Sequence, residues 1–115
     1  MNHTTFSWET IRDEIARPSE SPISKLIQHV IGSGMAIYLF PATMHRDLRI
    51  GRTENFSRAD GELTIEYKET DDKVIFRYYD SVASTPWTKE CRGAEIVPTF
   101  NHVVKKRLRW LKDTA

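Results

Sequence analysis

The sequence predicts an α+β fold: two N-terminal helices, an antiparallel sheet of four or five strands, and a C-terminal amphipathic helix packed on the sheet. Three observations carry this reading. Ile23, Leu26, Ile27, Val30 and Ile31 follow the i, i+3, i+4, i+7, i+8 spacing of a helix that buries one face. Residues 62–80 switch to a period of two, the alternation of strands. The strand-like segments then follow one another without intervening helices, which favours antiparallel pairing over βαβ units.

The elements are justified in chain order. Ser7 can cap a first helix, and Trp8, Ile11 and Ile15 share one of its faces. Pro18 breaks it at Arg17. Ser21 caps the second helix with Pro22 at its first position, where the missing N–H costs nothing. Gly32, Ser33 and Gly34 end it. The apolar run Met35 to Phe40 reads as a strand covered on both faces, hence a central one. Leu48 and Ile50 fit a short strand. Asp60-Gly61 marks a turn before the clearest hairpin. Its first strand sets Leu63, Ile65 and Tyr67 against polar neighbours, so it is expected to be half exposed. Its second carries Val74, Phe76 and Tyr78 on one face and Ile75, Arg77 and Tyr79 on the other. Residues 81–93 read as loop and Ala94 to Val97 as a last short strand. Thr99 is then the expected N-cap of the final helix, with Phe100, Val103, Val104, Leu108 and Leu111 as its apolar stripe. Arg107 falls inside that stripe and is its one break.

Composition narrows the class. A length of 115 residues suits one domain. Basic and acidic residues nearly cancel, 17 against 16, which argues against a dedicated polyanion wrapper. One cysteine, Cys91, excludes an internal disulfide framework or a multi-cysteine zinc site. The longest apolar run is too short to span a bilayer, and the N-terminus has no secretory pattern, so a cytoplasmic protein without membrane association is expected.

Catalytic signatures are thin. His3, His29, His45 and His102 are scattered, and no HExxH or CxxC occurs, so no metal is assigned. His29 falls on the polar side of its helix and is expected to be solvated. Ser33 does not sit in a GxSxG elbow. Cys91 beside Arg92 reads as a part-buried structural thiol. No nucleotide-binding glycine motif is present, and no cofactor is expected. His45, among Arg46, Arg49 and Arg52, could support phosphodiester cleavage, but a charged edge strand accounts for the same residues.

Two surfaces stand out. Residues 99–115 carry five basic groups and one acidic, whereas residues 61–98 carry five and eight. The basic helix, through Lys105, Lys106 and Arg109, could contact phosphates, with His102 and Trp110 beside them; a solvated face that complements the helix dipole is the plainer reading. Arg107 is expected either to snorkel, to pair with Glu62 or Glu66, or to anchor an anion. On the hairpin, Tyr79 and Arg77, with Trp87 in the following segment, form the expected partner-binding patch, because aromatics and arginines anchor interfaces.

The leading functional reading is therefore a small non-enzymatic protein-binding module of inhibitor, immunity or regulatory type, without a catalytic set. The alternative is an RNA- or DNA-binding protein, with a small ribonuclease as one form of it, that uses the basic helix together with the arginines of residues 46–58, Arg46, Arg49, Arg52 and Arg58. A third is a small-ligand pocket between helix and sheet with Arg107 as the anion anchor. Self-association through the apolar second face is a further option. In element order alone, and in no motif, the chain resembles small toxin ribonucleases. That resemblance implies a site of clustered basic and aromatic residues on the sheet, for which Arg77, Tyr79, His45 and Arg49 have the right types.

Overall fold

The computed structural model describes residues 5–15, 21–44, 47–81 and 85–111. The chain forms α1 (Trp8–Ile15), α2 (Pro22–Ser33), β1 (Phe40–Met44), β2 (Asp47–Gly51), β3 (Glu62–Lys68), β4 (Lys73–Tyr79), β5 (Trp87–Arg92) and α3 (Ile96–His102). A π-turn, Val103–Arg107, continues α3.

The helix signals act as their chemistry requires. The Ser7 hydroxyl accepts the Thr10 N–H at 3.1 Å. The Ser21 hydroxyl accepts the Ser24 N–H at 3.1 Å, and Pro22 opens α2. Gly34 closes it at φ +84°, in the left-handed region open to glycine. The break at Pro18 lies outside the described residues.

The five strands pair antiparallel in the order β1-β2-β3-β4-β5, an uninterrupted meander. Register fixes two faces. Leu48 sits opposite Ile65, which sits opposite Phe76. These residues, with Ile50, Leu63 and Val74, face the helices. Trp8, Ile11, Leu26, Ile27, Val30, Phe100, Val103 and Val104 complete that core from α1, α2 and α3. The Trp8 indole N–H donates to the Leu39 carbonyl at 2.9 Å, so this large side chain is buried with its polar atom satisfied.

Four sequence expectations are corrected. Met35 to Phe40 is not a central strand: Met35–Ile37 is a 3-10 turn, and β1 begins at Phe40 on the sheet edge. Gly34 turns the chain so that Met35 and Leu39 are buried while Ile37 and Tyr38 are left in solvent. An apolar run without alternation does not specify a strand. Residues 87–92, expected as loop, form edge strand β5, whose polar residues answer to having one sheet neighbour. Ala94 to Val97 is no strand: Gly93–Glu95 is a 3-10 turn, and α3 starts at Ile96, three residues before the expected cap Thr99. Pro98 is accommodated because the first turn needs no N–H donors. Finally, β3 is buried on both faces from Glu62 to Ile65 instead of half exposed.

The second burial comes from the β2–β3 connection, which folds over the outer face. Phe56, in that connection, is fully buried, and a Cβ at Gly51 would overlap its ring, so Gly51 makes room for it. The N-terminal segment ties the same region down. Thr5 N–H donates to Asn55 Oδ1 at 3.1 Å, and Phe6 N–H donates to the Pro41 carbonyl at 3.2 Å along the β1 edge.

Candidate functional site

The outer sheet face collects Arg49, Arg77 and Tyr79 of the residues the sequence points to, but it satisfies them internally. Arg49 is 8 % exposed and donates to Glu62 Oε2 at 2.6 Å and to the Thr64 hydroxyl at 3.3 Å. Glu62 is fully buried and also accepts from Thr64 at 2.9 Å. Arg58 adds a second cation 3.9 Å from the same oxygen and lies 4.0 Å above the Tyr79 ring. Arg77 pairs with Glu66 at 2.9 Å. Lys73 pairs with Glu90 at 3.5 Å. Arg77 and Tyr79 thus share one face, as expected, yet both already have partners. Trp87 is not with them. It sits opposite Tyr78 and points to the helix side.

The arginines and the basic helix are likewise divided. Arg49 and Arg58 belong to the outer face, Arg52 is exposed in the β2–β3 connection, and Arg46 and His45 lie outside the described residues. Lys105, Lys106 and Arg109 ride on the element packed against the opposite face. Arg49 is spent on Glu62, which also removes Glu62 as the expected partner of Arg107. Glu66, the other expected partner, is taken by Arg77. His29 is not merely solvated: its Nε2 lies 2.9 Å from Asn101 Oδ1 and ties α2 to α3.

The helix side offers a less self-sufficient arrangement, built by the π-turn. Leu108 N–H reaches back five residues to the Val103 carbonyl at 2.8 Å. Trp110 and Leu111 N–H groups both donate to the Val104 carbonyl, at 2.8 and 3.2 Å. Arg109 closes the turn at φ +57°. The wider turn rotates Arg107 out of the apolar stripe into which a regular helix would place it. Its guanidinium lies 4.9 Å from the centre of the Trp87 ring. Trp110 folds back and meets Tyr78 edge-on, with centroids 5.7 Å apart and planes at 74°.

A concavity opens on each side of that ring pair. One, of about 560 Å³, is lined by Ser33, Gly34, Met35, Tyr38, Lys105, Trp110 and Leu111. At its Met35–Tyr38 end the chain exposes two large apolar side chains, Ile37 at 77 % and Tyr38 at 64 %. The other, of about 270 Å³, is lined by Tyr78, Asp80, Thr85, Trp87, Arg107 and Leu108. Among the described residues, no cluster of three or more His, Cys, Asp or Glu side chains could hold a metal ion. None of their helices is long and apolar enough to cross a membrane.

Two titratable groups near the far end of β5 are held in their neutral forms. Burial pushes the Cys91 thiol up, against a hydrogen bond with Thr99 that lowers it. The Tyr67 hydroxyl donates to Asp72 Oδ1 at 2.9 Å, and that hydrogen bond raises its pKa. Asp72 Oδ1 also accepts the Gly93 N–H at 3.2 Å, so the group pins the β3–β4 turn to the end of β5. Neither a raised thiol nor a raised phenol is suited to nucleophilic work.

Compared with known proteins, the sequence matches no family model and no curated protein, and the fold matches no solved structure. Sequence reasoning missed Ile37 and Tyr38 as surface groups, because an apolar run is ordinarily core. The π-turn left one signal in the sequence, Arg107 interrupting the apolar stripe of the last helix.

Proposed function

We propose that this chain is a small protein-binding module that receives an acidic, amphipathic segment of a partner in the groove between Met35–Tyr38 and the π-turn. The observation that carries the reading is an apolar groove walled by Met35, Tyr38, Trp110 and Leu111, with the Lys105 cation in its lining and Ile37 exposed next to Tyr38. Covering an exposed Ile or Tyr side chain is worth about 1.5–3 kcal/mol each at full burial, a free energy available only to a partner. Lys105 lines the groove, whereas Arg107 of the same turn lies over Trp87 in the second concavity. Residues 99–115 carry a net charge of +4, five basic groups less one acidic, which favours an acidic partner in approach and register. An amphipathic helix that lays its apolar side in a groove is the matching recognition mode. A cytoplasmic setting belongs to the same proposal, supported by the lone unpaired thiol of Cys91.

The patch of Arg77 and Tyr79 supports binding less well, since Glu66 and Arg58 already occupy those side chains. The test is affinity capture from host lysate, with and without nuclease, by four forms of the protein. Wild type and Tyr79→Ala retain a stoichiometric protein partner. Ile37→Asp and Tyr38→Asp lose it, by roughly tenfold or more in affinity for each anchor removed. Retention by the groove variants with loss in Tyr79→Ala would move the interface to the outer face. Capture that disappears with nuclease would replace the protein partner by a nucleic acid.

A further inference from the structure

We propose that the smaller cleft, between Trp87 and Arg107, is a receptor for a carboxylate carried on a single flat apolar group. Arg107 is exposed, and among the described residues its contact is with a ring and not with a carboxylate. The guanidinium carbon lies 4.9 Å from the centre of the Trp87 ring, so the ring holds the cation at the cleft. A planar guanidinium carries its N–H donors in a fork that suits a bidentate carboxylate. Tyr78, Trp87 and Leu108 supply apolar walls, and the Thr85 hydroxyl adds a neutral donor or acceptor. The volume, about 270 Å³, lies at the small end of ligand cavities and suits one ring. Asp80 also lines the cleft.

The backbone supports the same assignment. A regular helix would turn Arg107 into the core, and it is the π-turn that presents it to Trp87. Turns of this kind concentrate at functional sites. Arg109 holds the strained left-handed conformation that ends the turn. The cleft lies across the Tyr78–Trp110 contact from the peptide groove, so acid binding and peptide binding can be lost independently.

The test is a titration of the full-length, isotope-labelled protein with benzoate, followed by NMR at the Arg107 Nε–H and the Trp87 indole N–H. Both resonances are expected to shift saturably. Benzamide, which keeps the shape and lacks the charge, and inorganic phosphate should bind at least about tenfold more weakly. Arg107→Gln should abolish the benzoate shift at the Trp87 indole, and Arg107→Lys should restore it only in part. N-acetylphenylalanine is the second arm: tighter binding than benzoate assigns a chain terminus as the source, weaker binding a free acid, and either supports the receptor. No saturable shift with benzoate, benzamide or phosphate equal to benzoate, or an unchanged shift in Arg107→Gln would each overturn it.

Discussion

Glu62 shows what the outer face is for. A carboxylate with no exposed surface persists only beside cations and donors that replace its water. Arg49, Thr64 and Arg58 do this, at 2.6, 2.9 and 3.9 Å. The arrangement anchors the β2–β3 connection over the sheet, and Arg49 Nε is its one buried polar atom with no hydrogen-bond partner among the described residues. Glu62→Ala strands the Arg49 cation and is expected to cost about 3–5 kcal/mol in urea unfolding. The double variant Arg49→Met, Glu62→Leu should lose less than Glu62→Ala alone, because no charge is left unpaired. A double variant as unstable as the single one would mean that the pair is a net source of stability. At Cys91 the raised pKa predicts slow alkylation by iodoacetamide near neutral pH, rising as the thiolate forms at higher pH. Urea should bring the rate to that of an ordinary thiol. Equal rates in folded and unfolded protein would contradict the burial argument.

At the scale of elements, the π-turn makes a distinct prediction. A non-glycine residue at φ +57° costs roughly 1–2 kcal/mol relative to the ordinary helical region. Arg109→Gly should therefore raise the urea midpoint, with a gain in unfolding free energy of about 0.5–1 kcal/mol after the loss of chain stiffness, and should leave the Arg107–Trp87 contact in place. A lowered midpoint would show that the Arg109 side chain contributes more than its backbone costs. The elements also show what sequence could and could not reveal. α2 was legible because a cap, a first-position proline, a five-residue stripe and a terminal glycine agree. The β3–β4 hairpin was legible from alternation. β5 was not, because an edge strand carries polar side chains and resembles a loop. The turn at Met35–Ile37 is hidden in the sequence because apolar character reports burial, whereas Ile37 and Tyr38 are exposed. The π-turn left one trace, an arginine in an apolar stripe, and spacing alone does not say whether such a residue snorkels or the helix widens. Trp87 is legible as an aromatic anchor, but its face depends on the β4–β5 register, which a polar edge segment does not announce.

Across the whole molecule, the two faces of the sheet differ in how much they keep for themselves. The outer face pairs Arg49, Arg58, Lys73 and Arg77 internally, in contacts worth little individually where they are exposed. The helix side ends in an apolar groove beside cations. The near-zero net charge hides this polarity, with −3 over residues 61–98 (five basic, eight acidic) against +4 over residues 99–115. Binding at the groove should weaken steeply with salt, since its attraction is partly between exposed charges screened within about 8–10 Å at 0.1–0.15 M. The most direct measurement is an NMR titration of the full-length protein with an acidic peptide whose leucines recur at i, i+3, i+4 and i+7, beside a version with lysine for every glutamate. The acidic peptide should shift Ser33 to Tyr38, Lys105, Trp110 and Leu111, with binding weakened by salt and abolished by Tyr38→Asp. Shifts that map instead to Arg77 and Tyr79, or equal binding of the lysine version, would contradict the groove as the partner site.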